Sequence, residues 1–414
     1  MQPGDIGARR PQNCYSALTT PGFRGKANVV QGNDGLSQMK PIKHALWIAL
    51  LLSACGGNPF LPDVVDPGNG PPGTVGTPKA TAKSPIKRSE VKVTDGGKYN
   101  GNGFAEGFVI NEGDPADPLD DTFAVDGLAF DGANVYNRGT NVSEIVVNDG
   151  QFQVYEAANI VIDPVSGVEI DQYPYRALSG VSADGTTRFG VVRTGAYAGY
   201  GFGGFIYQRS GAWTKQAIDP ATGLRGQATF SGGYGAIRDF SGKGSGLVGG
   251  LEYSKGDMIL SIDFDDFNDG DGVEGRVFNR EVFDIDGNPV TDDLIAAIND
   301  ELNLVFDPAN PLAIIDAEVL SLPELVFSVG PSTLATGEVS NGITSGYTKG
   351  GARVIYEAGK YYALIADSKD PQTGVKTDSG QVVGIIVAEG KDLRFDGVTV
   401  RETGGYIVYR LPPP

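Results

Sequence analysis

From about Val91 onward the chain is a succession of short runs rich in Val, Ile, Tyr and Phe, cut by clusters of Gly, Asp and Asn. Branched and aromatic side chains suit a pleated, half-buried surface, and the small polar residues supply the turns. The run Met258-Ile-Leu-Ser-Ile-Asp-Phe264 carries the period of a strand. Met258, Leu260, Ile262 and Phe264 fall on one face, and Ile259, Ser261 and Asp263 on the other. The same texture predicts strands at 122–130, 143–147, 152–162, 188–193, 202–207, 227–230 and 273–283, and again at 325–329, 353–357, 361–366, 382–389, 398–401 and 406–410. Glycine-containing segments at 357–360 and 403–405 read as tight turns, so the sheet is expected to be mostly antiparallel. One segment departs from this period. Residues 291–304 place Leu294, Ile295, Ile298 and Leu302 at helical spacing behind Thr291 as an N-cap, which predicts one short helix inside an insertion near 284–323.

A second constraint lies upstream. Residues 39–55 read M-K-P-I-K-H-A-L-W-I-A-L-L-L-S-A-C. Lys40 and Lys43 precede an apolar run too short to span a bilayer, and small residues then lead to Cys55. This resembles a bacterial lipoprotein signal with its lipobox. The resemblance implies that the signal, residues 39–54, is removed and that Cys55 becomes an acylated amino terminus. Gly56 in place of Asp after that cysteine implies sorting to the outer membrane. Met39 is the expected start of translation, which makes residues 1–38 an untranslated leader; the alternative is an extended signal or transit peptide. Residues 55–92, the lipidated Cys and a Pro/Gly-rich stretch, are expected to act as a flexible tether.

Removing residues 1–54 empties the chemical inventory. The histidine, His44, leaves with the signal, as does Cys14, and Cys55 would be acylated. His-based triads, thiol nucleophiles and His- or thiolate-ligated metals are thereby excluded. The same segment holds six basic and two acidic residues. The remainder therefore has 27 Lys and Arg against 49 Asp and Glu, a net charge near −22. Such a surface disfavours nucleic acid and anionic headgroups, so the expected membrane partner is reached through acyl chains.

The carboxy-terminal part carries a further likeness. It rests on Gly226-Gln-Ala-Thr-Phe-Ser-Gly-Gly-Tyr234, Lys255–Phe264, Gly272–Asn279, and a hairpin of Gly359–Ala366 with Val382–Val387. These segments are similar to the strands of the transferrin-binding protein B and factor H-binding protein lipoprotein family. Phe230 stands where that family has Tyr, and Ile365-Ala-Asp367 replaces its late "F-x-G" element. The resemblance covers about 226–410 and implies an antiparallel eight-stranded barrel for the carboxy-terminal domain, 226–414; the strand texture before it makes 93–225 a further antiparallel β region. It carries no partner-contacting residue over to this chain.

Three segments are candidate sites. Asp263, Asp265, Asp266, Asp269 and Asp271 line an acidic stretch that ends at Glu274 and could offer oxygen ligands to calcium, although its register does not fit an EF-hand; a plain acidic hairpin is the alternative. The Gly/aromatic run 197–207 is either a packed strand or an exposed docking patch. Asp378-Ser-Gly380 has the letters of an aspartic-protease motif without the apolar strand that should precede it. No carboxylate pair stands out for glycoside hydrolysis. The expected function is a lipid-anchored outer-membrane binding protein, surface-exposed or periplasmic, for a protein or small-molecule ligand. It is expected to have no catalytic residue and no cofactor besides calcium. A carboxylate-based envelope hydrolase, glycosidase or aspartic-protease-like, is the alternative.

Overall fold

The structure is a computed structural model. It describes residues 71, 74–77, 80–90, 94–95, 98–99, 105–111, 114, 120–127, 130–138, 152–157, 160–162, 166–171, 175–194, 203–216, 226–242, 250–264, 272–302, 318–328, 332–333 and 336–412. All of them belong to the unit Gly56–Pro414. The amino-terminal half supplies β1 (Thr74–Gly76), β2 (Ile86–Glu90), β3 (Thr94–Asp95), β4 (Lys98–Tyr99), β5 (Ala105–Asn111), β6 (Thr122–Gly127) and β7 (Phe130–Arg138). It continues with β8 (Phe152–Glu156), β9 (Ile160–Ile162), β10 (Glu169–Asp171), β11 (Tyr175–Val181), β12 (Thr187–Thr194) and β13 (Gly203–Arg209). The remainder comprises β14 (Gln227–Ser241), β15 (Leu251–Asp263), β16 (Val273–Asp284), α1 (Thr291–Leu302), β17 (Leu325–Phe327), β18 (Ser332–Thr333), β19 (Glu338–Lys349), β20 (Ala352–Lys369), β21 (Lys376–Lys391) and β22 (Thr399–Arg410).

These strands form two large antiparallel sheets and two small hairpins, β3–β4 and β9–β10. The first sheet has the order β1-β2-β13-β12-β11-β8-β7-β6-β5 and curls until β5 approaches β2 and β13. The second runs β17-β16-β15-β14-β22-β21-β20-β19, and β17 pairs with both β16 and β19, closing an eight-stranded barrel. The closing strand is only three residues long, yet Val326 pairs with Arg276 on one side and Thr344 on the other. The expected class, mainly β with an antiparallel eight-stranded barrel and one helix, is what the chain adopts.

The barrel is filled by its own side chains. Phe230, Met258, Leu260, Ile262, Phe264, Tyr361, Tyr406 and Val408 belong to one buried apolar cluster. The face predicted from Met258 to Phe264 is therefore the inner one. The outside of β14, β20, β21 and β22 is buried too, against the first sheet. Ile237, Tyr362, Leu364, Val383, Ile385 and Ile407 pack there on Phe152, Leu178, Phe189, Val191, Phe205 and Tyr207. A wall buried on both faces needs no polar alternation, which explains runs such as Tyr361–Ala366. The other side of the first sheet closes on a smaller core of Phe108, Phe123, Tyr136, Tyr155, Val192 and Ile206.

Several expectations are corrected. Residues 357–360 and 403–405 are not turns but the interiors of the long strands β20 and β22. Their glycines serve close approach: a Cβ at Gly359 would lie 1.9 Å from the Val387 carbonyl oxygen, and one at Gly405 2.1 Å from the Phe189 ring. Within the expected tether, 55–92, residues 74–76 and 86–90 are strands, with Ile86 in the shared core and Arg88 fully buried. Proline at 85 ends the apolar-poor stretch without preventing an edge pair from forming behind it. The expected strand at 143–147 lies outside the described residues.

The helix spans Thr291–Leu302 and turns Leu294, Ile298 and Leu302 inward, one turn apart. Thr291 does not act as a simple cap. Its hydroxyl accepts from the Val282 amide at 2.8 Å and donates to the Val282 carbonyl at 3.2 Å, pinning the helix start to β16. Asp292 and Asp293 in the first turn suit the helix dipole. No helix among the described residues is long and apolar enough to cross a membrane.

β22 pairs with β14 along one edge and β21 along the other. Deleting residues 405–414 therefore opens the barrel and strips both cores of Ile407 and Val408. The expected result is loss of the cooperative thermal transition, with aggregation through the exposed edges. A truncated protein that keeps its full transition would contradict this.

Candidate functional site

Charged residues alternate through the same wall. On β14, Arg238 faces the barrel interior and Asp239 the first sheet; on β22, Glu402 faces inward while Arg401 and Thr403 face outward. The inward set forms a layer across the barrel. Arg280 of β16 makes a two-pronged pair with Glu357 of β20, at 2.7 and 2.9 Å, and donates to Glu402 at 3.0 Å. It also donates to the Pro323 carbonyl at 2.9 Å. Tyr234 donates to Glu402 at 2.9 Å and Ser345 to Glu357 at 2.6 Å. Arg238 lies 3.8 Å from Glu402 and 3.5 Å from Glu252, which Arg394 also approaches at 2.7 Å. Burial alone would raise the Glu357 carboxyl; the Arg280 charge and its hydrogen bonds, helped by Arg238 and Ser345, outweigh it and hold the group below its ordinary range.

This layer separates two apolar regions. Along β16, Val277 belongs to the barrel core, Arg280 to the charged layer and Val282 to the cluster around α1. Along β20 the order is Tyr361, Glu357, Tyr356. The helix thus stops one end of the barrel, with Leu294, Ile298, Leu302, Leu322, Tyr347 and Tyr356 packed together beyond the charges.

The outward set clamps the first sheet onto the barrel. Arg193 of β12 donates to Thr403 at 2.8 Å and lies 3.6 Å from Glu90 and 3.7 Å from Asp239. Arg401 pairs with Glu90 of β2, and Arg88 of β2 pairs with Glu338 of β19 through two bonds of 2.6 and 3.1 Å. Asp239 is fully buried, and neither of its carboxylate oxygens has a hydrogen-bond partner among the described residues. Burial raises its pKa from 3.8 to about 6, against the opposing pull of Arg193 and Arg401 and with the help of Glu90.

The sequence candidates fall as follows. Asp263 ends β15, where its carboxylate accepts from the Gln227 side chain at 2.6 Å and its amide donates to Gly272 at 2.8 Å, closing a hairpin onto β16. Asp265, Asp266, Asp269 and Asp271 lie outside the described residues, as does Cys55. Among the described residues no group of His, Cys, Asp and Glu is arranged to hold a metal. Of the Gly/aromatic run, Phe205 and Tyr207 are buried and stack near Tyr362 at 5.6 and 6.3 Å, so they pack between the sheets instead of facing a partner; residues 197–202 lie outside the described set.

Asp378-Ser-Gly380 is a joint. Asp378 is exposed and holds Lys376 at 2.9 Å. Ser379, buried and with φ of 48°, accepts from the Trp213 indole at 3.0 Å and donates to the Thr214 carbonyl at 2.6 Å. Asp367 accepts from the Ser379 and Thr214 amides at 3.0 and 2.8 Å. Its burial is outweighed by Lys376 and these bonds, which hold it below its ordinary range. The motif therefore fastens the 213–214 segment over the other end of the barrel.

Sequence reasoning missed one concavity. Between α1, β19, β20 and the β21–β22 connection lies a space of about 480 Å³. Tyr347, Val354, Tyr356 and Leu393 line it with apolar surface, and Glu301, Glu389 and Lys391 stand among its charged groups. The lining comes from residues far apart in sequence, and none of the segments has a distinctive local pattern.

No family model matches the chain, and no curated protein matches it. Among solved structures the chain is similar to two of the vaccine antigen transferrin binding protein B from Haemophilus parasuis Hp5, a double mutant and a single mutant. Each is 10% identical, with 83% of this chain and 64% of that chain covered, and TM-scores of 0.27 and 0.28. A protein of unknown function from the DUF3598 family of Nostoc punctiforme is 9% identical over 82% of this chain and 94% of its own, with a TM-score of 0.19. The chain thus spans about 64% of the length of the transferrin binding protein B structures.

Two substitutions test the charged layers. Arg280→Ala leaves Glu357 and Glu402 buried without their main cation, and urea unfolding at pH 7 should report a loss of about 3–5 kcal/mol. Asp239→Asn tests the other layer. A carboxyl raised in the folded state holds a proton that the unfolded chain has released, so its contribution to stability falls as pH rises from about 4 to about 6. The interval from 3.8 to about 6 corresponds to about 3 kcal/mol. The stability of the Asn variant relative to wild type should rise over that window and stay level above it; a difference independent of pH would contradict the assignment.

Proposed function

We propose that this chain is a lipid-anchored binding protein of the bacterial cell envelope, held at the outer membrane by acyl chains on Cys55, with its β domain offered to a protein or solute partner. The observation that carries the reading is the coupling of Leu52-Ser-Ala-Cys55, behind its short apolar run, to a β domain whose barrel is filled by its own side chains. A filled barrel leaves recognition to outer surfaces. The absence of His and free Cys from the segment after Cys55 supports binding over catalysis. The buried carboxylates support it as well: Glu357 and Glu402 share Arg280, an arrangement that ties β16 to β20 and β22. The hydrolase alternative has no comparable support.

The anchor is tested by intact mass spectrometry of the membrane-extracted protein. The expected chain starts at Cys55 and carries added acyl mass, and Cys55→Ala should move the protein out of the membrane fraction. A mature chain that keeps residues 39–54, or a Cys55→Ala protein still fully in membranes, would contradict it.

Calcium remains a proposal for the loop from Asp263 to Glu274 alone. A bound cation would relieve repulsion among its carboxylates and raise the melting temperature. A modest rise in millimolar calcium, reversed by a chelator, is the expected outcome; identical melting curves would reduce the loop to a turn.

A further inference from the structure

β2 joins the first sheet by pairing Ile86–Ser89 with Ile206–Arg209 of β13, and it reaches the barrel through two charged side chains. Arg88 meets Glu338 of β19, and Glu90 meets Arg401 of β22 and Arg193 of β12. The first pair is complete in itself, with two bonds between one guanidinium and one carboxylate. The second is shared with a rival. Asp239 of β14 is the cross-strand neighbour of Arg401 and lies 3.7 Å from Arg193, while Glu90 lies 3.6 Å from the same guanidinium. Asp239, Glu90, Arg193 and Arg401 are all more than nine-tenths buried.

The hydrogen bonds are divided unevenly. Arg401 donates to Glu90, and Arg193 donates to the Thr403 hydroxyl at 2.8 Å. Neither oxygen of Asp239, nor Oε2 of Glu90, nor Nη1 of Arg193 has a hydrogen-bond partner among the described residues. Glu389 of β21 stands 3.9 Å from Arg401 and is half exposed. Three carboxylates thus surround two guanidiniums, and one negative charge is in excess. Low-dielectric surroundings make that excess costly, and a proton removes it. Asp239 takes the proton because it has burial without hydrogen bonds. Its pKa lies at about 6, and Glu90 contributes to the rise. The Tyr362 hydroxyl of β20 completes the surroundings; burial, with Glu90 adding to it, pushes this group up to about 12, so it stays neutral.

We propose that these groups form a proton-sensitive clamp on β2. With Asp239 protonated, both guanidiniums are left to Glu90 and β2 is held firmly against the wall. With Asp239 ionised, two carboxylates compete for the same two cations and the hold weakens. The effect is reciprocal, since removing Glu90 also makes Asp239 release its proton at lower pH. The clamp is tighter in acid and looser at neutral pH, whichever partner the domain binds.

The test is a cycle of urea unfolding curves on the mature protein at pH 5 and pH 7.5, with wild type, Glu90→Gln, Asp239→Asn and the double variant. Both substitutions keep the shape of the side chain and remove its charge. The factor by which Glu90→Gln lowers the folding equilibrium constant should be about fivefold larger at pH 5 than at pH 7.5, as follows from a change of about one unit in the Asp239 pKa. In the Asp239→Asn background that factor should be the same at both pH values and match the acid value of wild type. Glu90→Asp shortens the reach and keeps the charge; it is the milder variant should Glu90→Gln lose its cooperative transition, and its cost should likewise be larger at pH 5. A cost of changing Glu90 that is equal at the two pH values, or larger at pH 7.5, would overturn the clamp. A pH dependence that persists in the Asp239→Asn background would place the titration elsewhere and overturn it as well.

Discussion

The structure depends on one wall of β-sheet that is buried from both sides. Strands β14, β20, β21 and β22 turn Tyr406, Val408, Ile365 and Val382 into the barrel, and Ile407, Leu364, Val383 and Ile385 toward the first sheet. Over the central spans neither face reaches water, so the side chains there are apolar or are charged groups set close to opposite charges. This sets tight limits on size. Gly404 leaves room for the Tyr234 ring inside, and Gly405 leaves room for Phe189 outside. A side chain added at either point would press on an aromatic ring at close quarters.

The charges buried in the wall follow from the same geometry. Neighbouring residues on a strand face opposite ways, so Arg238 and Asp239 belong to different networks, as do Arg401 and Glu402. Buried ion pairs cost desolvation and add little net stability compared with apolar packing. They do oppose misregistration. A one-residue slip of β22 would send Arg401 into the barrel and Glu402 toward the first sheet, away from Arg280 and Arg238. An apolar wall alone would not discriminate so sharply between registers.

Much of this was legible in the chain, and the failures have physical causes. The alternation of Met258, Leu260, Ile262 and Phe264 gave the inner face of β15, because that strand is half exposed on its other side. The helix was legible from Leu294, Ile298 and Leu302. By contrast β20 and β22 read as hairpins, since glycines that serve close packing look locally like turn residues. β1 and β2 were hidden in a Pro/Gly-rich stretch, where the burial of Arg88 depends on Glu338, 250 residues away. Asp378-Ser-Gly380 had the letters of a catalytic motif, and only the contacts of Ser379 with Trp213 and Thr214 reveal a structural joint. The concavity beside α1 is assembled from four separate segments, which no local pattern could announce.

A shared wall predicts shared stability, and that property confines recognition to the surfaces the two cores leave free. Native-state hydrogen exchange, followed by mass spectrometry across sub-denaturing urea, measures it directly. Peptides from β11, β12 and β13 should open with the same free energy and urea dependence as those from β14, β21 and β22, because the core between the two sheets is built from both and is lost when either opens. If the first sheet exchanges through a separate opening at much lower free energy while the barrel stays protected, the two are independent units and the account of the wall is wrong.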